Sequence, residues 1–245
     1  WSKSLLMKRL ILILALVCCT SWSASLLYDK NQQQILFQQG IDEVRSIASL
    51  TKLMTAMIVL DSGQNLWQVM QLDTKVGTYM PGGSYTRLEL LYAMLIFSDN
   101  AAAETLAQNH PGGRFQFLQE MNQRALKLSL TDTKFADPSG LSVFNVSTMK
   151  NLAIMVAASG DYEIIRTATT LKEVHLQRIR LANTGGAFLH QFNNIVLNKT
   201  GFTRHAGFCV GMLVSYQGKD LVMIVLGEPT KQHRTIAVNK MIKSI

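Results

Sequence analysis

The chain has 245 residues, 48% hydrophobic and 16% charged, with a formal net charge of +8. This composition excludes a disordered polyelectrolyte, and the length allows one large domain or two small ones. The lysines and arginines are scattered, with no basic stripe interleaved with aromatics, which argues against nucleic acid as a partner.

Met7-Lys8-Arg9 is a basic start, Leu10 to Cys19 is a continuous apolar run, and Thr20 to Ala24 supplies small residues. That order predicts a secretory signal peptide over residues 1–24, with Met7 as initiator and a cut near Ser23 or Ala24. The apolar run of about ten residues is too short for a stable membrane span, although a retained anchor is the alternative. Cys18 follows Val17, where a lipoprotein signal needs a small residue. Cleavage removes Lys3, Lys8 and Arg9 and no acid, so the net charge falls from +8 to +5. A moderately basic periplasmic protein suits an anionic polymer outside the cytoplasm. Cys209 is the one cysteine left, so no internal disulfide is expected. Between Phe208 and Val210 it reads as a small core residue and not as a nucleophile.

In the mature chain, Leu26 to Gln39 reads as a hairpin turning at Asp29 to Gln32. Helical spacing follows at Ser49 to Leu60, Thr86 to Phe97, Ala101 to Gln108, Phe115 to Leu128 and Thr148 to Ala158. The period then changes: Phe208 to Tyr216 and Asp220 to Gly227 are strands, and Ile236 to Ile242 is a closing helix. All four prolines fall in turn clusters. Strands, then helices, then strands predict an α+β fold, with an antiparallel sheet built from both chain ends and a mostly helical lobe inserted. We expect one catalytic domain over residues 25–245, its sheet lobe at about 25–60 and 190–245 and its helical lobe at about 61–189.

Three short motifs carry the chemistry: Ser49-Leu50-Thr51-Lys52, Ser98-Asp99-Asn100 and Lys199-Thr200-Gly201. Each is weak alone; in this order they form a strong signal. Ser147-Thr148-Met149-Lys150 repeats the first pattern, but no S-x-N follows it, and Ser147 is expected to cap the next helix. On a helix Lys52 lies beside Ser49. Among Leu53, Met54, Met57 and Ile58 its amine is costly to bury unless it is used. Holding a lysine neutral at pH 7 costs about 4.6 kcal/mol in water. Burial and a second cation, expected from Lys199, reduce that cost.

The ordered triple is that of penicillin-binding proteins and class A β-lactamases. With "RSIASLTKLMTAMIVLD", "SDNAAAETLA", "FADPSGLS", "NVSTMKNLA" and "NKTGFT", the chain resembles the low-molecular-mass penicillin-binding proteins, the D-alanyl-D-alanine carboxypeptidases and endopeptidases. It looks closest to the short endopeptidase type, which lacks a second domain. The resemblance implies a β-lactamase/transpeptidase-like fold and a periplasmic serine DD-peptidase acting on peptidoglycan peptide stems. It assigns Ser49 as nucleophile, Lys52 as base and Ser98 as proton relay. Asn100 would hold the lysine or the substrate amide, and Lys199 and Thr200 a substrate carboxylate. Gly201 would admit the substrate backbone, and the N–H groups of Ser49 and Phe202 would form the oxyanion hole. β-Lactams would acylate Ser49.

A class A β-lactamase needs a deacylating glutamate about 36 residues past S-D-N; T-K-F-A-D-P-S-G has none. The other competitors are a D-Ala–D-Ala carboxypeptidase, which uses the same machinery, and an inactive wall-binding module, against which the intact triple argues. Asp137 and Ser139 are expected to shape a turn and a cleft wall, and Arg234 to follow the last strand. His110, His175, His190, His205 and His233 form no ligand spacing, so we expect neither metal nor cofactor. Oligomeric state is not legible.

Overall fold

A computed structural model describes residues 23–40 and 42–244. The expected signal peptide lies outside these described residues, apart from its last positions. A five-stranded antiparallel sheet is built from β1 (Ala24–Asp29), β2 (Gln34–Gln39), β3 (Ile195–Thr203), β4 (Gly207–Tyr216) and β5 (Lys219–Glu228). Its order is β2-β1-β5-β4-β3, so the first strand pairs with the last and both chain ends close one sheet. The β1–β2 turn forms because the Asp29 carboxylate accepts the N–H groups of Asn31 and Gln32, each at 2.9 Å.

β5 is buried on both faces, and its alternation sorts the core. Val222, Ile224 and Leu226 join the large cluster under the helices, whereas Leu221, Met223 and Val225 join a smaller one with Phe188, Val238 and Met241. Against the first face pack α1 (Thr51–Asp61) and α5 (Met149–Ser159); against the second packs the closing helix α8 (Lys231–Ile242). α8 starts five residues earlier than its apolar spacing predicts, because Thr230 caps it by accepting the His233 N–H at 3.1 Å.

The remaining helices among the described residues are α2 (Arg87–Tyr92), α3 (Asn100–Gln108), α4 (Gly113–Lys127), α6 (Glu163–Thr170) and the short α7 (Gly186–Gln191). The expected helix at Thr86 to Phe97 is split. α2 begins on a Thr86/Glu89 capping box and passes into a π turn at Ala93–Phe97. That wider turn ends on Ser98, held left-handed at φ +67°. Several elements lack an expectation from sequence: α6, α7, a hairpin of Glu173–Leu176 with Ile179–Ala182 and a shorter one of Val69–Gln71 with Ser84–Thr86. Ser147 is not the cap of α5. It pairs with Arg45 in a two-residue ladder and shares a hydrogen bond with the Thr133 hydroxyl at 2.7 Å, leaving Thr148 as cap.

Candidate active site

The three motifs converge where the start of α1, the end of the π turn and the edge strand β3 meet. Ala48–Leu50 forms one 3-10 turn before α1, and Ala48 sits at φ +47°, a strained conformation for alanine. Ser49 is therefore not a helix cap; it projects from the strained turn just ahead of the helix. Two close approaches hold the turn. A Cβ on Gly201 would lie 3.0 Å from the Ser49 nitrogen, and one on Gly140, at φ +87°, would lie 2.0 Å from the Ala48 carbonyl oxygen. No other residue type fits Gly140 without moving the Ser49 turn.

Lys52 is fully enclosed. Its Nζ lies 3.0 Å from Ser49 Oγ, 2.8 Å from Asn100 Oδ1 and 2.5 Å from the Ser139 carbonyl oxygen. The neutral amine has two hydrogens and one lone pair. The amide oxygen and the carbonyl accept only, so they take the hydrogens and aim the lone pair at the Ser49 hydroxyl. Burial lowers the Lys52 pKa to about 7, against the opposing charges of Asp137, Asp99 and Glu104. Burial, then the charges of Lys52 and Arg234, lower Lys199 well below the ordinary lysine range. Of the two expected causes, burial leads at Lys52, while the repulsion between the lysines falls on Lys199. Their repulsion is reciprocal, so the pair favours fewer protons than two separate lysines would.

Asn100 begins α3, which Asp99 caps by accepting the Ala102 N–H at 2.9 Å, so the S-D-N motif caps a helix and holds the lysine at once. The Ser98 hydroxyl makes no hydrogen bond to Lys52 among the described residues, because the lysine's positions are already filled by Ser49, Asn100 and Ser139. Ser49, Ser98, Asn100, Thr200, Gly201 and Phe202 line one cleft of about 470 Å³ with Tyr79, Thr184 and Arg234, while Lys52 and Lys199 lie buried behind it. Thr200 Oγ1 lies 2.9 Å from the Thr184 hydroxyl, and Lys199 Nζ donates to the Thr200 carbonyl at 3.2 Å. Arg234 is 6% exposed; its guanidinium stands 5.3 Å from the Phe188 ring centroid and donates to the Cys209 carbonyl at 3.3 Å. Burial pushes the Cys209 thiol up to about 11, which leaves it unreactive. Among the described residues no three His, Cys, Asp or Glu side chains gather as a metal site.

Two residues do more than their sequence context suggested. Asp137 accepts from the backbone N–H groups of Ser139 (2.7 Å), Gly140 (2.6 Å) and Ser142 (2.5 Å) and from the Ser139 hydroxyl (3.0 Å). Burial raises its pKa, but those donors outweigh it and hold the carboxyl below its usual range. The folded loop then presents the Ser139 carbonyl to Lys52. Asn145 ties the same loop to the Ser49 segment: its Oδ1 accepts from Ala136 N at 2.7 Å, its Nδ2 reaches Thr51 Oγ1 at 3.1 Å, and its carbonyl accepts from Ile47 N at 3.1 Å. The D-P-S-G turn signal located this loop; nothing local to Asn145 marked it.

A serine hydroxyl on a strained turn, faced by the lone pair of a buried lysine beside a cation-lined cleft, defines the active-site serine hydrolases of penicillin recognition. The chain belongs to the D-alanyl-D-alanine carboxypeptidase family, peptidase S11, whose match covers residues 19–230. It is 34% identical over 217 residues to the D-alanyl-D-alanine endopeptidase of Pseudomonas aeruginosa, covering 83% of this chain and 70% of that one. It is 33% identical to the D-alanyl-D-alanine endopeptidase of Escherichia coli K12, with the same coverage. Among solved structures it is similar to penicillin-binding protein D2 of Listeria monocytogenes in its cefotaxime-bound form, at TM-score 0.82 and 29% identity, over 90% of this chain and 95% of that one.

Gly140→Ala tests the packing behind Ser49. The left-handed φ and the clash with the Ala48 carbonyl together cost a few kcal/mol, which lowers Tm by about 5–10 °C in a domain of this size. Acylation by a β-lactam falls at least about tenfold, because the Ser49 turn must move. An acylation rate equal to wild type would show that the turn is not held from this side.

Proposed function

We propose that this enzyme is a periplasmic peptidoglycan hydrolase that cuts D-Ala–diaminopimelate cross-links through an acyl-enzyme on Ser49. The observation that carries this reading is the 3.0 Å approach of a buried amine of pKa about 7 to the Ser49 hydroxyl. Serine is a poor nucleophile without a base, and Lys52 is one that is substantially neutral near pH 7.

Ser49 Oγ attacks the carbonyl carbon of the D-alanine, and its proton passes to Lys52. The carbonyl oxygen becomes an oxyanion that the N–H groups of Ser49 and Phe202 receive, each donor typically worth about 10²–10³ in rate. Once Ser49 Oγ is acylated, Lys52 turns from it to the Ser98 hydroxyl on the cleft wall, which relays a proton to the departing nitrogen, and the C–N bond breaks. Water then repeats the sequence on the ester, releasing the acid and restoring Ser49. Thr200, Lys199 and Arg234 hold the carboxylate beside the scissile bond. That anion supplies the counter-charge that lets Lys199 regain its proton once substrate is bound. Asp137 occupies the region where a class A β-lactamase keeps its deacylating glutamate. Its oxygens are occupied by donors, so no carboxylate there activates water and a penicilloyl ester leaves slowly.

The preference for cross-links over terminal D-Ala rests on kinship: relatives named endopeptidases match at 29–34% identity, while relatives named carboxypeptidases match at 26–28%. The reaction centre serves either bond, so discrimination falls to the cleft walls around Tyr79 and Leu141. Secretion through a cleaved signal peptide, leaving residues 25–245 as one catalytic domain, completes the reading.

Ser49→Ala should fold normally and show no covalent label with a fluorescent penicillin; a labelled variant places the nucleophile elsewhere. Cross-linked dimers and pentapeptide monomers, supplied at equal concentration, decide the preference. We expect dimers to be cut faster. Loss of D-Ala from pentapeptides while dimers stay intact would make the enzyme a carboxypeptidase.

A further inference from the structure

A second cavity, of about 620 Å³, adjoins the catalytic cleft and shares Phe202 with it. Arg45, Ser46, Arg204, His205 and Glu228 supply its polar walls. Nothing in the hydrolysis described above uses it.

Two anchors fix which part of a substrate reaches it. β3 is an edge strand, open to an added peptide strand. The carboxylate beside the scissile bond lies at Thr200, and the carbonyl under attack lies at Phe202. Two residues of strand are about 7 Å, so a bound peptide advances along β3 from Thr200 toward Phe202. Its acyl portion therefore continues past Phe202 toward Arg204, which stands in the turn just beyond the strand.

The chemistry of the walls is of both signs. Arg204 and His205 are exposed, and none of the ion pairs among the described residues includes Arg204. Arg45 faces the same space while lying 3.7 Å from Glu43. Glu228 lines the same cavity, 8% exposed, and burial pushes its carboxyl above its usual range although the His233 charge and a hydrogen bond with Ser23 oppose that. Ser46 is 3% exposed, and its hydroxyl has no hydrogen-bond partner among the described residues, which leaves a polar group unsatisfied in the wall. A simple anion would meet the Glu228 carboxylate, and a simple cation would meet the arginines. A group carrying an ammonium and a carboxylate on one carbon satisfies both walls.

We propose that this cavity binds the free amino-acid head group, α-ammonium with α-carboxylate, borne by the side chain of the diaminopimelate in the acyl-donor stem. The carboxylate pairs with Arg204, and the ammonium faces Glu228. The proposal rests on the DD-peptidase reading and adds a specificity site to it.

The test uses the mature enzyme and two cross-linked dimers that differ only in the acyl-donor diaminopimelate, whose side-chain carboxylate is free in one and amidated in the other. Wild type should cleave the free form with kcat/KM about tenfold higher, the loss expected for one charge-assisted hydrogen bond. In Arg204→Ala the ratio should fall to about one, and in Arg204→Lys it should stay above that. A wild-type ratio near one overturns the proposal, as does an Arg204→Ala variant that slows both dimers alike and keeps their ratio. Acylation of wild type by benzylpenicillin, which has no stem, is measured alongside. Its failure would sink the DD-peptidase reading itself, whereas normal acylation with no dimer preference would sink only the cavity assignment.

Discussion

The Lys52 amine sits in a protein cage, and the geometry of the site follows from keeping it there without a full charge. Lowering its pKa from 10.5 to about 7 means that the folded enzyme gives up roughly 5 kcal/mol below pH 7 relative to a free lysine. The unfolded chain binds more protons than the folded one between about pH 7 and 10.5. The cost is therefore complete below about 7 and fades as pH rises toward 10.5. Cooperative burial elsewhere offsets it: β5 is packed on both faces, and α1 is enclosed by apolar residues on nearly every side. Asp137, Asp99 and Glu104 keep the lysine from becoming too weak a base by drawing its pKa back up.

Strain collects at the same place. Ala48 and Ser98 both hold positive φ, one just before Ser49 and one at the end of the π turn. Neither conformation is favoured by its residue, so the surroundings must over-determine each. The Asp137 loop, Asn145, Gly140 and Gly201 do so for the first. For the second, the Asp99 cap locks α3 directly after Ser98. Three segments far apart in sequence are thereby fixed about one oxygen and one nitrogen, and the apolar interior keeps water from levelling their pKa values.

Much of this was legible in the sequence because the relevant signals are local. The hairpin at Asp29, the amphipathic α4 and the two last strands carry clear periods or turn residues, and the motif triple names the residues that meet in the cleft. What escaped depends on contacts that sequence spacing does not encode. Thr86 to Phe97 has continuous helical spacing, yet it becomes α2 plus a π turn because Ser98 must face the cleft. Ser147 looks like a cap, but its pairing with Arg45 takes it into a ladder and the next residue caps instead. Asn145 joins segments nearly a hundred residues apart, and the second cavity beside Phe202 exists only once β3, β5 and the Arg45 segment are together.

The central claim is that Lys52 is a neutral base near physiological pH. Direct titration of lysine side chains labelled at the ε carbon, followed by NMR and assigned by loss of one resonance in Lys52→Arg, measures this on the free enzyme. The account predicts that the Lys52 resonance titrates with a midpoint near 7. A resonance that stays in its ammonium form up to pH 10 would contradict it.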